Sequence, residues 1–394
     1  MSGLDGMLEA LGRAPDVGDG ELRAWDAADR YLLEYAAAAF PDALAGEVVV
    51  IDDTHGALAL GAELLGARDV RVHQDSIVGR RALAANAQAT GLAGAVPHPL
   101  ASVATPSTSL VLVRMPRSLD RLDAVARAVA AAAGPGVVVL AGGRVKHMTP
   151  TQNDRLAASF ARIDVTLAQA KSRIVIAREP RDDVVPLAPV VSQLELAPRR
   201  RGSISGAETV APATSTPDAR VMVAAVPGVF AGAGLDIGTR ALLATFDTLP
   251  PYSRAIDLAC GTGIIAVALA RRNPDAVVLA CDVSAIAVES AALTAAANGV
   301  TVTTRQDDAL SLEPAASADL IVLNPPFHAG SAVTTGIAHR LFADAARVLR
   351  PGGELRVVWN SHLGYRPVLE RLVGPTRQVS RTPKFTVTAS RRGS

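Results

Sequence analysis

One order of sequence signals runs twice along the 394 residues, and it confines the chain to two copies of a single α/β unit. In the C-terminal half, a short apolar strand at 255–258 ends in a glycine turn, and 263–272 reads as a helix. A strand at 277–281, a helix at 285–298 and a strand at 300–304 follow. Then come a strand at 320–323, a helix at 337–349, a strand at 354–359, a helix at 366–373 and a last strand at 385–389. Strands alternating with helical stretches predict a mostly parallel sheet with helices on both faces.

The N-terminal half keeps the same order. Ile51-Asp52 with Gly56 answers Ile256-Asp257 with Gly261, and Ser76 with Gly91 answers Ser284 with Gly299. Leu110 to Val113 answers Leu320 to Leu323, Pro135-Gly136 answers Pro351-Gly352, and Lys171 answers Lys384. The spacing drifts by only a few residues, which favours duplication of a whole domain over a chance likeness of two α/β folds. Between Arg181 and Pro217 proline and small polar residues cluster around Arg199-Arg200-Arg201-Gly202-Ser203. That composition predicts a linker at 181–218 between units 1–180 and 219–394.

Composition narrows the function. Thirty-nine basic and 38 acidic residues leave a net charge of +1, which excludes bulk coating of nucleic acid and leaves room for a local patch. Cys260 and Cys281 are too few for a disulfide framework or a four-cysteine zinc site, so both are expected to be small buried residues and no metal is expected. Asp5 and Glu9 precede any apolar run, which argues against a signal peptide. The longest apolar stretch, 125–141, is broken by Arg127 and Gly134-Pro135-Gly136, whereas a membrane span needs about 20 uninterrupted apolar residues. The expectation is a cytoplasmic protein with no membrane contact.

Two sites carry chemistry. The first is Asp257-Leu258-Ala259-Cys260-Gly261-Thr262-Gly263, a strand end, a tight turn and a helix start. Such a turn puts a ligand at the carboxyl edge of the sheet, where glycines admit close approach and helix N–H groups face an anionic moiety. Asp282 ends the next strand, where an acid accepts hydrogen bonds from ribose hydroxyls; the competing reading is a helix N-cap. Asp307 or Asp308 follows the third strand, in reach of an adenine amino group, with Asp308 slightly preferred.

The second site is Asn324-Pro325-Pro326-Phe327 after the 320–323 strand. Proline after Asn324 enforces an extended backbone, so the Asn324 side-chain oxygen and the Pro325 carbonyl can converge on one external NH₂ group while Phe327 stacks on a ring. A proline turn with a core phenylalanine is the plain alternative. It loses weight here, one strand downstream of the glycine turn and the acid.

These residues together resemble the class I S-adenosylmethionine-dependent methyltransferases that act on exocyclic or amide nitrogens. The block Asn324 to Gly330, Ile337-Ala338, Pro351-Gly352-Gly353-Glu354-Leu355, Asn360 with Leu363 and Tyr365, and Lys384-Phe385 extend the likeness. So do Pro227-Gly228-Val229-Phe230 and Leu235-Asp236-Ile237-Gly238 upstream. The chain is similar to the ribosomal RNA guanine-N2 methyltransferase family, whose members act on small- or large-subunit rRNA and carry two methyltransferase-like domains, the first degenerate. The resemblance implies two tandem Rossmann-like domains, S-adenosylmethionine as cofactor, ribosomal RNA or a ribosomal subunit as partner, and a monomer. It places the cofactor at Asp257, Ala259, Gly261, Gly263, Asp282, Asp307, Asp308 and Asn324, catalysis at Asn324 to Phe327, and substrate contacts at His328, Lys384 and Phe385. Ala259 departs from the first glycine usual in this turn.

In the N-terminal half Leu58 stands where Gly263 is expected, Gln74 at Asp282, and Arg114-Met115-Pro116 at Asn324-Pro325-Pro326. That unit is therefore expected to lack cofactor and catalysis, and to recognise substrate or support its partner. From Arg340 to Ser394 basic residues outnumber acidic ones by eight, which points to an RNA-facing patch. The alternatives are methylation of another amine or amide (DNA adenine N6, a protein glutamine, a small molecule) and a non-catalytic RNA-binding module.

Overall fold

A computed structural model describes residues 3–16, 22–196, 220–325 and 332–393. The chain divides into two compact units, Met1–Ala188 and Pro189–Ser394.

The first unit holds seven strands: β1 (Glu47–Ile51), β2 (Asp69–His73), β3 (Val96–Pro97), β4 (Thr108–Arg114), β5 (Val138–Arg144), β6 (Phe160–Val165) and β7 (Ser172–Pro180). They lie in the order β3-β2-β1-β4-β5-β7-β6, with only the pairs made by β7 antiparallel. The second unit adds a hairpin of β8 (Val190–Glu195) and β9 (Arg220–Ala225). Its main sheet has β10 (Arg254–Leu258), β11 (Val277–Asp282), β12 (Thr303–Gln306), β13 (Ala318–Leu323), β14 (Leu349–Asn360), β15 (Thr376–Arg381) and β16 (Phe385–Arg391). Their order, β12-β11-β10-β13-β14-β16-β15, repeats that of the first sheet. The predicted mostly parallel, helix-covered architecture is thus present in both halves.

The central strands are apolar on both faces because helices cover both. In the second unit Ile256, Leu258, Ile321 and Leu323 face one core, and Ala255, Leu320 and Val322 face the other. Both cysteines lie buried and free, as expected.

Strand register corrects the alignment of the two halves. Ile51 pairs with Val113 and His73, and Leu258 pairs with Leu323 and Cys281, so Ile51 corresponds to Leu258 rather than to Ile256. Asp52 and Ala259 then coincide, and both have positive φ (61° and 57°). Gly56 coincides with Gly263, each the left-handed N-cap of the following helix. Leu58 therefore does not occupy the place of Gly263, and the expectation that its side chain blocks the cofactor fails.

Elements that escaped the sequence reading include β15, β8, β9 and the helix Ile237–Leu243. β15 is a polar edge strand, Thr-Arg-Gln-Val-Ser-Arg, without the apolar alternation that marks a strand. β8 lies inside the predicted linker, where it pairs with β9. The arginine run Arg199-Arg200-Arg201 lies outside the described residues. β9 also docks on the helix Ala285–Ala297. Ser290 and Thr294 donors and acceptors meet the backbone of Ala224 and Val226, and Asn298 brackets Met222. Three polar side chains one turn apart thereby satisfy an edge strand that would otherwise be open.

Candidate active site

The turn after β10 separates two glycines by their surroundings. Gly261 has φ +53° and nothing within 4 Å of the place a Cβ would take. Gly263 has φ +76°, and a Cβ there would fall 2.8 Å from Ala291 Cα and 2.7 Å from its Cβ. Gly261 therefore borders open space at the carboxyl edge, whereas Gly263 lets the helix Ile264–Arg272 pack against Ala285–Ala297. Ala259 sits in the left-handed region at φ 57°, a conformation that accounts for the glycine usual at this point.

Asp282, at the end of β11, accepts hydrogen bonds from the amides of Gly261 and Ser284, both at 3.0 Å. The helix that follows is capped by the Ser284 hydroxyl, which accepts from Ala287. The cap reading of Asp282 is thus taken by Ser284, and the Asp282 carboxylate is held beside the open face of Gly261. This is a cradle that fits a ribose: a glycine without steric cover, a helix N-terminus, and a carboxylate at the adjoining strand end.

Asp257 is placed differently. It is fully buried in β10 beneath the turn, where one oxygen accepts from the Ala266 amide at 2.9 Å and the other has no partner. Burial, only partly offset by that bond and reinforced by Asp282, pushes its carboxyl well above the usual range. It supports the turn from within and offers no atom to the open face, which corrects its assignment to the cofactor. Its folded value lies above its unfolded one, so the stability it contributes is complete below the unfolded value and is lost as pH rises through the folded one. Asp257→Asn cannot ionise. It is expected to hold its denaturation midpoint as pH rises above the ordinary carboxylate range while the wild type declines, with cofactor affinity unchanged; denaturant titrations across pH check this.

The third strand's acids divide likewise. Asp307 is buried, and its carboxylate accepts from Asp308 N, Ser311 Oγ and Leu312 N within its own turn. Asp308 pairs with Arg340. Asp307 thus shapes the loop, and Asp308 is the better candidate for an adenine amino group.

Asn324 follows β13 directly. Its Nδ2 donates to Asp236 Oδ2 at 3.0 Å and to Thr239 Oγ1 at 2.9 Å. A carboxylate only accepts, so this contact identifies the amide nitrogen and leaves Oδ1 as the acceptor of the side chain. Asp236 also caps the helix Ile237–Leu243 through Thr239 N. Gly238 is required at this junction, since a Cβ there would meet Asp236 Oδ2 at 2.9 Å and Asn324 Oδ1 at 3.1 Å. The segment Leu235-Asp236-Ile237-Gly238 thus acts by orienting Asn324, a role that no local pattern reveals. Pro325 is buried; Pro326, Phe327 and His328 lie outside the described residues.

Other expected contacts are displaced. Phe385 is a core residue at 9% exposure, with Lys384 Nζ 5.4 Å over its ring. The phenylalanine is therefore not a free stacking surface. The basic C-terminal stretch is largely consumed internally. Arg356 is fully buried against Glu354, Thr245 and Thr248, Arg350 pairs with Asp319, and Arg366 with Glu370. Arg347 and Arg392 bind backbone carbonyls.

In the first unit the corresponding places are altered. Thr54 stands at Gly261, and Gln74 at Asp282, where it bonds Ser76 N and the Asp53 carbonyl. Arg114 stands at Asn324, tied to Asp29 and Asp26. The packing glycine is kept in both units, since a Cβ at Gly56 would fall 3.3 Å from Leu83 Cα. The glycine that borders open space is not.

Comparison with known proteins supplies relatives. Residues 4–181 match the RLMG N-terminal domain family, and residues 220–389 match the Methyltransferase small domain family. A Streptomyces avermitilis protein named ribosomal RNA large subunit methyltransferase G is 36% identical over 96% of this chain and 95% of its own length. A Pseudomonas syringae pv. syringae protein of the same name is 34% identical over 96% of each. The T. thermophilus 16S rRNA N2 G1207 methyltransferase, solved with AdoMet and guanosine, has a similar fold. Its TM-score is 0.71 at 23% identity, over 90% of this chain and 93% of that one.

Proposed function

The chain belongs to the ribosomal RNA large subunit methyltransferase G family, and we propose that it transfers a methyl group from S-adenosylmethionine to the exocyclic N2 of a guanine in large-subunit ribosomal RNA. The observation that carries this reading is Asn324, its amide nitrogen held by Asp236 and Thr239 and its Oδ1 left as acceptor, one strand away from the Gly261–Asp282 cradle.

When bound, the sulfonium cofactor supplies an electrophilic methyl group. The chain's part is positioning. The lone pair of an aromatic NH₂ is delocalised into its ring. Accepting its two N–H bonds at Asn324 Oδ1 and the Pro325 carbonyl favours a pyramidal nitrogen with a directed lone pair. No strong base is needed before attack, because the proton becomes acidic only after transfer. Asp282 takes the ribose hydroxyls, Gly261 leaves room for the cofactor, and Asp308 accepts from the adenine amino group. A guanine in folded RNA must be unpaired or flipped to reach this edge.

The first unit, with Thr54, Gln74 and Arg114 in place of these groups, serves substrate recognition rather than chemistry. Among the described residues no helix is long and apolar enough to cross a membrane, and no cluster of ligands for a metal ion occurs. The test is transfer of labelled methyl to large-subunit rRNA by the purified chain, followed by a nucleoside digest. N2-methylguanine is the expected product. Label only in N6-methyladenine, or only in protein, contradicts the reading.

A further inference from the structure

The first unit carries a cleft of about 330 Å³ whose lining includes Arg114, Arg117, Arg144, Lys146, His147 and Asp26. It lies at the carboxyl edges of β4 and β5. Leu110 pairs with Val138 as Leu320 pairs with Glu354, so Arg144 corresponds to Asn360 at the end of β14. A single 3₁₀ turn follows in each unit, Val145–His147 and Ser361–Leu363. The cleft is therefore the first unit's counterpart of the edge that holds Asn324, rebuilt with cations.

The charges in it are unequal. Arg114 is spent on Asp29 at 2.8 Å and Asp26 at 3.0 Å, and a second Asp26 oxygen takes the Ala28 amide. That network uses the one acid on the cleft wall and fixes Arg114 as part of its floor. Arg117 and Lys146 are exposed, and among the described residues neither they nor Arg144 forms an ion pair. The Arg144 Nε is buried and has no hydrogen-bond partner. His147 is pushed below its ordinary value, by desolvation first and then by Arg117, Lys146 and Arg144, cations that line the same cleft. Like charges gathered without a counter-charge repel, and a bound anion relieves them.

We propose that this cleft seats a backbone phosphate of single-stranded RNA, held by Arg117, Arg144 and Lys146 over the fixed Arg114. The size suits one nucleotide unit, and guanidinium groups suit the phosphate oxygens. The proposal rests on RNA being the substrate and adds where the non-catalytic unit grips it. Free nucleotides present the same phosphate chemistry, so the test separates the two.

The full-length chain is titrated with a labelled, short single-stranded oligouridylate over a range of salt concentrations. The triple variant Arg117→Ala/Arg144→Gln/Lys146→Ala is compared with Arg68→Ala, an exposed arginine just before β2 at the opposite edge of the sheet. Loss of the one single-strand phosphate contact lowers the salt slope by about 0.7. KM for rRNA is expected to rise about tenfold or more, with kcat and cofactor affinity held, and Arg68→Ala is expected to match the wild type. Wild-type slope and KM in the triple variant overturn the proposal. So does nucleoside monophosphate binding that depends on Arg117 and Lys146 while oligouridylate binding does not. A wild-type chain that binds the cofactor but no RNA overturns the substrate reading itself, a failure visible before any variant is made.

Discussion

Asn324→Ala is expected to lower turnover by about 10²–10³-fold, the usual effect of deleting one preorganised polar group at a reacting centre, while S-adenosylmethionine still binds. The residue directly follows β13, and its amide nitrogen is engaged by Asp236 and Thr239, so its contribution lies in Oδ1. Asp236 acts through that amide. Asp236→Ala removes the partner that distinguishes nitrogen from oxygen and lets the amide rotate. It is expected to lower kcat more than it raises KM. It also removes a helix cap, at a cost of about 1 kcal/mol, so denaturation is measured alongside. Asp236→Asn keeps an acceptor for Asn324 and is expected to recover most of kcat. If cofactor affinity collapses in Asn324→Ala as far as turnover does, the role assigned to Asn324 is wrong.

The second large effect separates the two glycines of the turn. Gly263→Ala places a methyl group within 2.8 Å of Ala291 Cα at a left-handed φ. Backbone strain of about 1 kcal/mol and overpacking of about 1–3 kcal/mol sum to a destabilisation of about 2–4 kcal/mol. Gly56→Ala is expected to behave alike in the first unit, against Leu83. Gly261→Ala meets no atom, so it costs only the strain of about 1 kcal/mol and folds, but its methyl group fills the open face. Its expected signature is cofactor affinity weakened by about tenfold or more with a nearly wild-type denaturation midpoint. Denaturant titration and calorimetric binding read the two quantities. A reversed pattern, with Gly263→Ala stable and binding-deficient, would refute the division of roles.

That division also shows what the sequence disclosed. The strand–helix alternation and the Asn-Pro-Pro block at a strand end were readable, because both are local patterns with strict steric meaning. Matching Ile51-Asp52 to Ile256-Asp257 was misleading. Two equal letters outweighed a register that hydrogen bonds alone define, and the apparent loss was charged to Gly263 instead of Gly261. The burial of Asp257 was hidden for a related reason. In a parallel sheet covered on both faces, alternation does not tell an inner carboxylate from one at the edge. Asp236 stands far from Asn324 in sequence, and only the fold brings them together. The C-terminal arginines looked like an RNA patch as a count of charge, whereas Asp308, Asp319, Glu354 and Glu370 hold Arg340, Arg350, Arg356 and Arg366 in ion pairs.

The most direct measurement is mass spectrometry of large-subunit rRNA from cells that lack this gene. The account predicts loss of one N2-methylguanine, restored by the wild-type gene and not by Asn324→Ala. An unchanged N2-methylguanine content together with loss of a different methylated nucleoside, or with no change in rRNA at all, would contradict it.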